Sequence, residues 1–325
     1  MAIDEPSLTR EAALYAAASL RASTRRVYST GQRRWVKFAM DRGFSPFPLT
    51  ESAITLWVTD LARSLAPSTV DSYLSATLRL ARELGYPCDR PHFQLLSDVL
   101  QGIRNVKGTG FRELRKPITC RVLQRIQGQL DSHTWNGRML WAAMTLGTIG
   151  LLRSGELALD EAEPRTSPKL LCIGAVQFER TQTSVLMRVR LRDTKTDRAR
   201  KGVTVTVGPT GRSVCAVTAM AAFISMRPNA APTDPLFIFE DGVILRRRAL
   251  VRFTKVLLKN AGVDNTLYAG HSFRIGGATD LASRGVPDHE IQAAGRWTSD
   301  AFKRYVRFAD DRHLARASTM ALNIA

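Results

Sequence analysis

Apolar positions recur at helical spacing through the first third of the chain. Over residues 23–42 (STRRVYSTGQRRWVKFAMDR), Val27, Trp35, Phe38 and Ala39 share one face behind a Ser/Thr start. Arg25, Arg26, Arg33, Arg34 and Lys37 fall largely on the other faces. Residues 50–63 open with Thr50-Glu51 and run apolar through Ile54, Leu56, Trp57 and Leu61. A third helix opens at Pro67-Ser68-Thr69, where proline suits the first turn, and stops at Gly85. A fourth covers roughly Phe93 to Val106. These predict a helical domain over 1–107. The glycines and proline of KGTGFRELRKPI then mark a linker over 108–118.

The pattern changes in the second domain, 119–325. Helices at about 119–130 and 135–149 lead into Leu151-Leu152-Arg153-Ser154-Gly155-Glu156. Runs of strand character follow at Leu170–Phe178, Val185–Leu191 and Val203–Val207, the last two alternating. They flank a polar segment, Arg192–Gly202, that reads as a hairpin tip. Helical spacing resumes near 212–225 and 246–261 and dominates from His271 onward. The expected class is mainly α with a small antiparallel β-sheet, α+β, and no internal repeat.

Composition narrows the partner. With 44% hydrophobic and 23% charged residues, a buried core is expected. Lys and Arg number 47 against 29 Asp and Glu, a formal charge of +18. Such an excess suits a polyanion, because basic side chains replace the counterions condensed on phosphates. Residues 1–110 hold 14 basic and 10 acidic side chains, so most of the excess lies beyond them. Cys88, Cys120, Cys172 and Cys215 are too far apart for a zinc motif or a dense disulfide framework. No apolar run approaches the roughly 18–20 residues of a membrane span, and no secretory signal is read. These features predict an intracellular protein without a metal or membrane anchor. Its compartment is the nucleus in a eukaryotic host or the nucleoid in a bacterial one. Arg246 and Arg247, with Arg248 beside them, face phosphate or solvent.

Four local settings carry candidate chemistry. In His271-Ser272-Phe273-Arg274, the i,i+3 spacing sets imidazole and guanidinium one turn apart on one helix face. That pair suits a phosphate, although such pairs are also ordinary helix surface. Arg153 ends an apolar stretch and needs an anion; Glu156, one turn on, can pair with it. Lys195, in Asp193-Thr194-Lys195-Thr196, is a flexible ammonium able to protonate a leaving alkoxide, or a solvated turn lysine. Tyr305, in Phe302-Lys303-Arg304-Tyr305, is a nucleophile among cations or a packed ring with a bonded hydroxyl.

Arg153, Lys195 on a hairpin, His271-x-x-Arg274, Trp297 and Tyr305, in that order, resemble the tyrosine recombinase (phage integrase) family. The match to the catalytic domain spans about 115–310. His271-Ser-Phe-Arg-Ile-Gly-Gly-Ala-Thr and Ala294-Gly-Arg-Trp297 are similar to Cre-like members and to recombinases of eukaryotic DIRS-like and Crypton elements. The resemblance implies a SAM-like core-binding domain before the catalytic domain. It also implies a metal- and ATP-independent attack by Tyr305 that leaves a 3′-phosphotyrosyl link. Arg153 and Arg274 would hold the phosphate, Lys195 would protonate the leaving oxygen, His271 would assist proton transfer and Trp297 would buttress the phosphate. Double-stranded DNA would be the partner. Four protomers would assemble at synapsis, from protein expected to be monomeric when free, exchanging a C-terminal helix at about 311–324. Many members carry a histidine nine residues before the tyrosine, where this chain has Arg296; aligning Ala-Gly-x-Trp instead selects Trp297. The competing readings are a non-cleaving DNA-binding protein on the same fold and a type IB topoisomerase.

Overall fold

A computed structural model describes residues 6–86, 93–108, 114–194, 197 and 201–306. Lys195 and the expected exchange helix 311–324 lie outside these residues. The chain divides into two compact units, Met1–Arg112 and Glu113–Ala325. No helix among the described residues is long and apolar enough to cross a membrane.

The first unit contains α1 (Pro6–Ala18), α2 (Ala22–Asp41), α3 (Glu51–Ser64), α4 (Pro67–Glu83) and α5 (Gln94–Lys107). Thr50 caps α3, its hydroxyl accepting the Ala53 N–H at 3.4 Å, and Pro67 occupies the first turn of α4. The apolar faces meet in a core of Trp35, Ile54, Trp57, Val58, Val70, Leu74 and Leu96. Trp35 and Trp57 pack edge to face at 5.4 Å, and the Trp35 indole N–H donates to the Pro46 carbonyl at 3.1 Å. The predicted α2 cations Arg25, Arg26, Arg33, Arg34 and Lys37 are all exposed. α1 has no counterpart in the elements predicted from spacing.

The second unit is built around α7 (Trp135–Ile149), buried along most of its length. α6 (Cys120–Gln127), α9 (Ala216–Ile224), α11 (Ser272–Ser283) and the single-turn α8 (Ser154–Leu157) pack on it, while α10 (Arg247–Asn260) lies against α6 and α8, and α12 (Asp288–Gly295) against α11. A three-stranded antiparallel sheet runs β1 (Val176–Arg180), β2 (Val185–Leu191), β3 (Val203–Val207), in that order. Met187, Val189 and Leu191 of β2, with Val205 and Val207 of β3, point into the core.

β1 begins later than its sequence predicts. Ile173–Ala175 forms a 3-10 turn instead, because the Ile173 and Gly174 N–H groups donate to the carbonyls of Asp234 and Pro232. The apolar letters before β1 therefore serve a loop-to-loop contact, not a ladder. α11 packs so closely that a Cβ on Gly276 would lie 1.8 Å from the Ile118 carbonyl oxygen, and one on Gly277 2.2 Å from that of Thr148. The Ile118 N–H donates to the Ser272 carbonyl, and the Cys120 N–H to Asp280 at 2.6 Å. α11 is thus fixed against the end of α7, and that contact sets up the site below.

Candidate active site

Past α7 the chain turns through Leu151, a non-glycine residue at φ 48°. Side-chain crowding makes this region unfavourable for leucine, so the turn must be held from outside. Two guanidinium groups hold it. The Leu151 carbonyl accepts Arg274 Nη1 at 2.5 Å and Arg296 Nη2 at 3.3 Å.

Arg153 caps α8. Its N–H donates to Glu156 Oε2 and its Nη1 to Glu156 Oε1, both at 2.8 Å. Glu156, 6% exposed, also receives Arg296 Nη2 at 2.9 Å. One buried carboxylate thus bridges two arginines, and the pairing predicted for Arg153 and Glu156 is present.

Arg274 is fully buried on α11. Besides Leu151, it donates through Nη2 to the Gly295 carbonyl, while its Nε and that of Arg296 have no hydrogen-bond partner among the described residues. Burial, reinforced by Arg153 and Arg296, pushes the Arg274 guanidinium down to about 9. Burial lowers Arg296 as well, with Glu156 pulling it back up.

α12 ends with Arg296 in the left-handed conformation, φ 56° and ψ 44°. The chain then reverses and lays Trp297 over Arg274, Cζ 4.0 Å from the ring centroid. Gly295 is required here: a Cβ would stand 1.5 Å from a Trp297 ring carbon. A 3-10 turn, Asp300–Arg304, delivers Tyr305, whose ring lies 5.4 Å from Trp297 and 6.4 Å from His271. Thr279 Oγ1 donates to the Tyr305 carbonyl at 3.3 Å. The helical spacing read from His271 onward becomes a tighter 3-10 turn at Asp300–Arg304, because Ser299 caps it and Phe302 plugs the small cluster of Leu151, Ala278 and Ile291.

Arg153, Glu156, His271, Arg274, Arg296, Trp297 and Tyr305 therefore converge. Among the described residues no cluster of three or more metal-ligating side chains occurs. Leu151, Gly295 and Thr279 were given no role from sequence, although Thr279 ends the motif that begins at His271 and Gly295 lies within the tryptophan motif.

The other predicted DNA contacts are placed differently. Arg246 donates to the carbonyls of Asp160 and Glu163, and Arg247 pairs with Asp160 at 2.8 Å. The loop at 160–163 thus engages both. Arg247 also lines an open groove of about 610 Å³ that borders Ser154 and Gly270; along it Arg248, itself paired with Glu161 at 3.6 Å, is followed by Arg252, Lys255 and Lys259. Their i, i+4, i+7, i+11 spacing was the readable signal.

No family profile and no curated protein matches the chain. Solved structures do. XerH site-specific recombinase, bound to a palindromic difH substrate in a post-cleavage complex, is 15% identical with a TM-score of 0.58, covering 83% of this chain and 72% of that one. The Tn1549 transposon integrase, in complex with transposon right end DNA, is 16% identical with a TM-score of 0.56 over 93% and 95%. A lambda integrase dimer bound to a COC′ core site is 14% identical with a TM-score of 0.56 over 92% and 94%. At such identity the likeness is one of architecture: the chain has the tyrosine recombinase fold.

Proposed function

We propose that this protein is a site-specific recombinase that breaks and rejoins duplex DNA through Tyr305, in the integration or excision of a mobile element. The observation that carries the reading is the meeting of Tyr305 with Trp297, His271 and the buried Arg274, in a pocket with more cations than carboxylates. A phosphodiester supplies the missing anion.

Tyr305 Oη attacks the scissile phosphorus, the bond to the 5′-oxygen breaks, and a 3′-phosphotyrosyl link forms. Arg153 and Arg274 neutralise the nonbridging oxygens as charge develops, from positions fixed before DNA arrives. Lys195 delivers a proton to the departing 5′-oxygen, and His271 assists transfer of the tyrosine proton. Trp297 closes one side of the pocket. The covalent link conserves the bond energy, so rejoining by the free 5′-hydroxyl needs no ATP, and the guanidinium groups supply the charge that a metal would otherwise bring. The cations of α10 and those of α2 contact the backbone of the duplex. Four protomers around two duplexes complete strand exchange, passing residues 311–324 between neighbours.

The test uses a pool of nicked duplexes of randomised sequence. A nick beside the scissile phosphate lets a short fragment diffuse away, trapping the adduct. Wild type is expected to form a denaturant-resistant protein–DNA band, and sequencing of the trapped DNA gives the target. Equal trapping by Tyr305→Phe overturns the assignment. DNA retention without an adduct indicates a binding protein, and relaxation of plasmids lacking the recovered target indicates a topoisomerase.

A further inference from the structure

We infer that Arg296 is a positioning residue: it clasps the α12 turn to the Arg153 turn through Glu156, and so seats Trp297 on Arg274 without touching the scissile phosphate. The inference rests on the proposed reaction and concerns a residue to which that reaction gives no role.

Three consecutive residues make the clasp. The Gly295 carbonyl accepts from Arg274 Nη2, the Arg296 side chain reaches across the pocket, and Trp297 covers the Arg274 guanidinium. The middle residue binds the two turns. Its Nη1 donates to the Gly150 carbonyl at 3.4 Å, and its Nη2 to Leu151 at 3.3 Å and Glu156 at 2.9 Å. Both terminal nitrogens of the fork are therefore engaged by protein, one of them by a carboxylate; those of Arg274 meet backbone carbonyls, which leave its charge to be answered by the phosphate. Arg153 differs, since its ion pair to Glu156 uses Nη1 alone among the contacts of its side chain.

The backbone agrees. An arginine at φ 56° forgoes the conformations L-residues prefer, and a side chain anchored at both Leu151 and Glu156 keeps it there. Glu156 is the shared element. Loss of Arg296 leaves a 6%-exposed carboxylate with Arg153 as its one side-chain partner, so both can shift. The same loss frees the turn that carries Trp297.

The experiment uses the full chain and the duplex recovered by trapping. Arg296→Ala is expected to slow single-turnover cleavage at saturating DNA on the order of 100-fold, the cost of a misplaced site, with duplex affinity changed by less than about twofold. Arg296→Lys, which keeps the ion pair but not the fork, recovers part of that loss. A methylphosphonate at the scissile position removes one phosphate charge. It is expected to leave the Arg296→Ala defect in place while relieving that of Arg274→Ala. In a Glu156→Gln background Arg296→Ala adds about threefold or less, because the two act as a unit.

A readout independent of cleavage is acrylamide quenching of Trp297, isolated by difference from Trp297→Phe; Arg296→Ala is expected to increase it. Unchanged quenching, rescue by methylphosphonate, or fully multiplicative effects with Glu156→Gln each overturn the clasp. If wild type forms no adduct, the proposed reaction fails, and quenching alone decides the clasp.

Discussion

The core of the helical unit and the pocket around Arg274 are both buried, and both are organised by tryptophan. In the helical unit Trp35 meets Trp57 edge to face and gives its only donor to a backbone carbonyl. That core is complete as it stands, and filling it stabilises the fold by removing apolar surface from water. In the pocket Trp297 lies on a guanidinium, and Arg153, Arg274 and Arg296 surround a single Glu156. Among the described residues two of these positive charges remain uncompensated, and two Nε donors have no partner. A region assembled for stability does not look like this, since unpaired buried cations oppose folding. The difference separates a core that supports the chain from a pocket whose bonding an anion completes.

Substitutions should separate the two regions, beginning with the largest effect. Trp57→Ala is expected to cost about 3–5 kcal/mol of stability by opening a cavity, measured by urea unfolding, with no change in the Trp297 quenching signal. Arg274→Ala should act oppositely: cleavage falls by about 10²–10³-fold, worth about 3–4 kcal/mol in the transition state, while the protein stays folded by circular dichroism. A gain of cleavage in that variant would end the distinction. Gly295→Ala, whose Cβ collides with Trp297, is expected to lower cleavage about tenfold or more without altering DNA affinity.

The pH dependence gives a finer test. Burial holds the Arg274 guanidinium down to about 9, so its charge in the DNA-free protein is expected to weaken as pH rises past that value. Cleavage at subsaturating DNA should then fall, at most about tenfold per pH unit. Stability responds in the other sense. The folded-state pKa is depressed, so the cost of burying the cation is fully present below 9 and shrinks above it, where the unfolded chain still holds the proton. A cleavage profile flat to pH 10 would show that Arg274 keeps its charge. The smallest effect belongs to the helical unit: Thr50→Ala removes the long α3 cap and should cost about 0.5–1 kcal/mol by urea unfolding.

The same contrast explains what could be read from sequence. Residues 135–149 form the predicted helix, β2 and β3 occupy the predicted strands, and α2 to α5 fall within about two residues of their apolar patterns, because burial imposes a period on the letters. His271 and Arg274 were legible as a pair, being one turn apart. Arg296 with Glu156 was not. They are 140 positions apart, and the contact depends on two left-handed residues, Leu151 and Arg296, that no glycine announces. The strand expected from residue 170 failed for a related reason, as apolar letters there serve a contact with the 232–235 loop. The engagement of Arg246 and Arg247 by the 160–163 loop was equally hidden, since a run of arginines does not reveal which carbonyls it will meet.

The sheet also acts as a ruler. Pairing of Leu191 with Val203 closes the ladder, so the strands set the point from which the chain between them departs. One residue added to both β2 and β3 beyond their buried positions would move that point by about 3.4 Å and turn the last strand side chains to the opposite face. Two added to each would move it about 7 Å and restore the facing. The ladder can therefore lengthen with its facing kept only in even increments, so lineages sharing this scaffold should differ in strand length here by pairs of residues per strand.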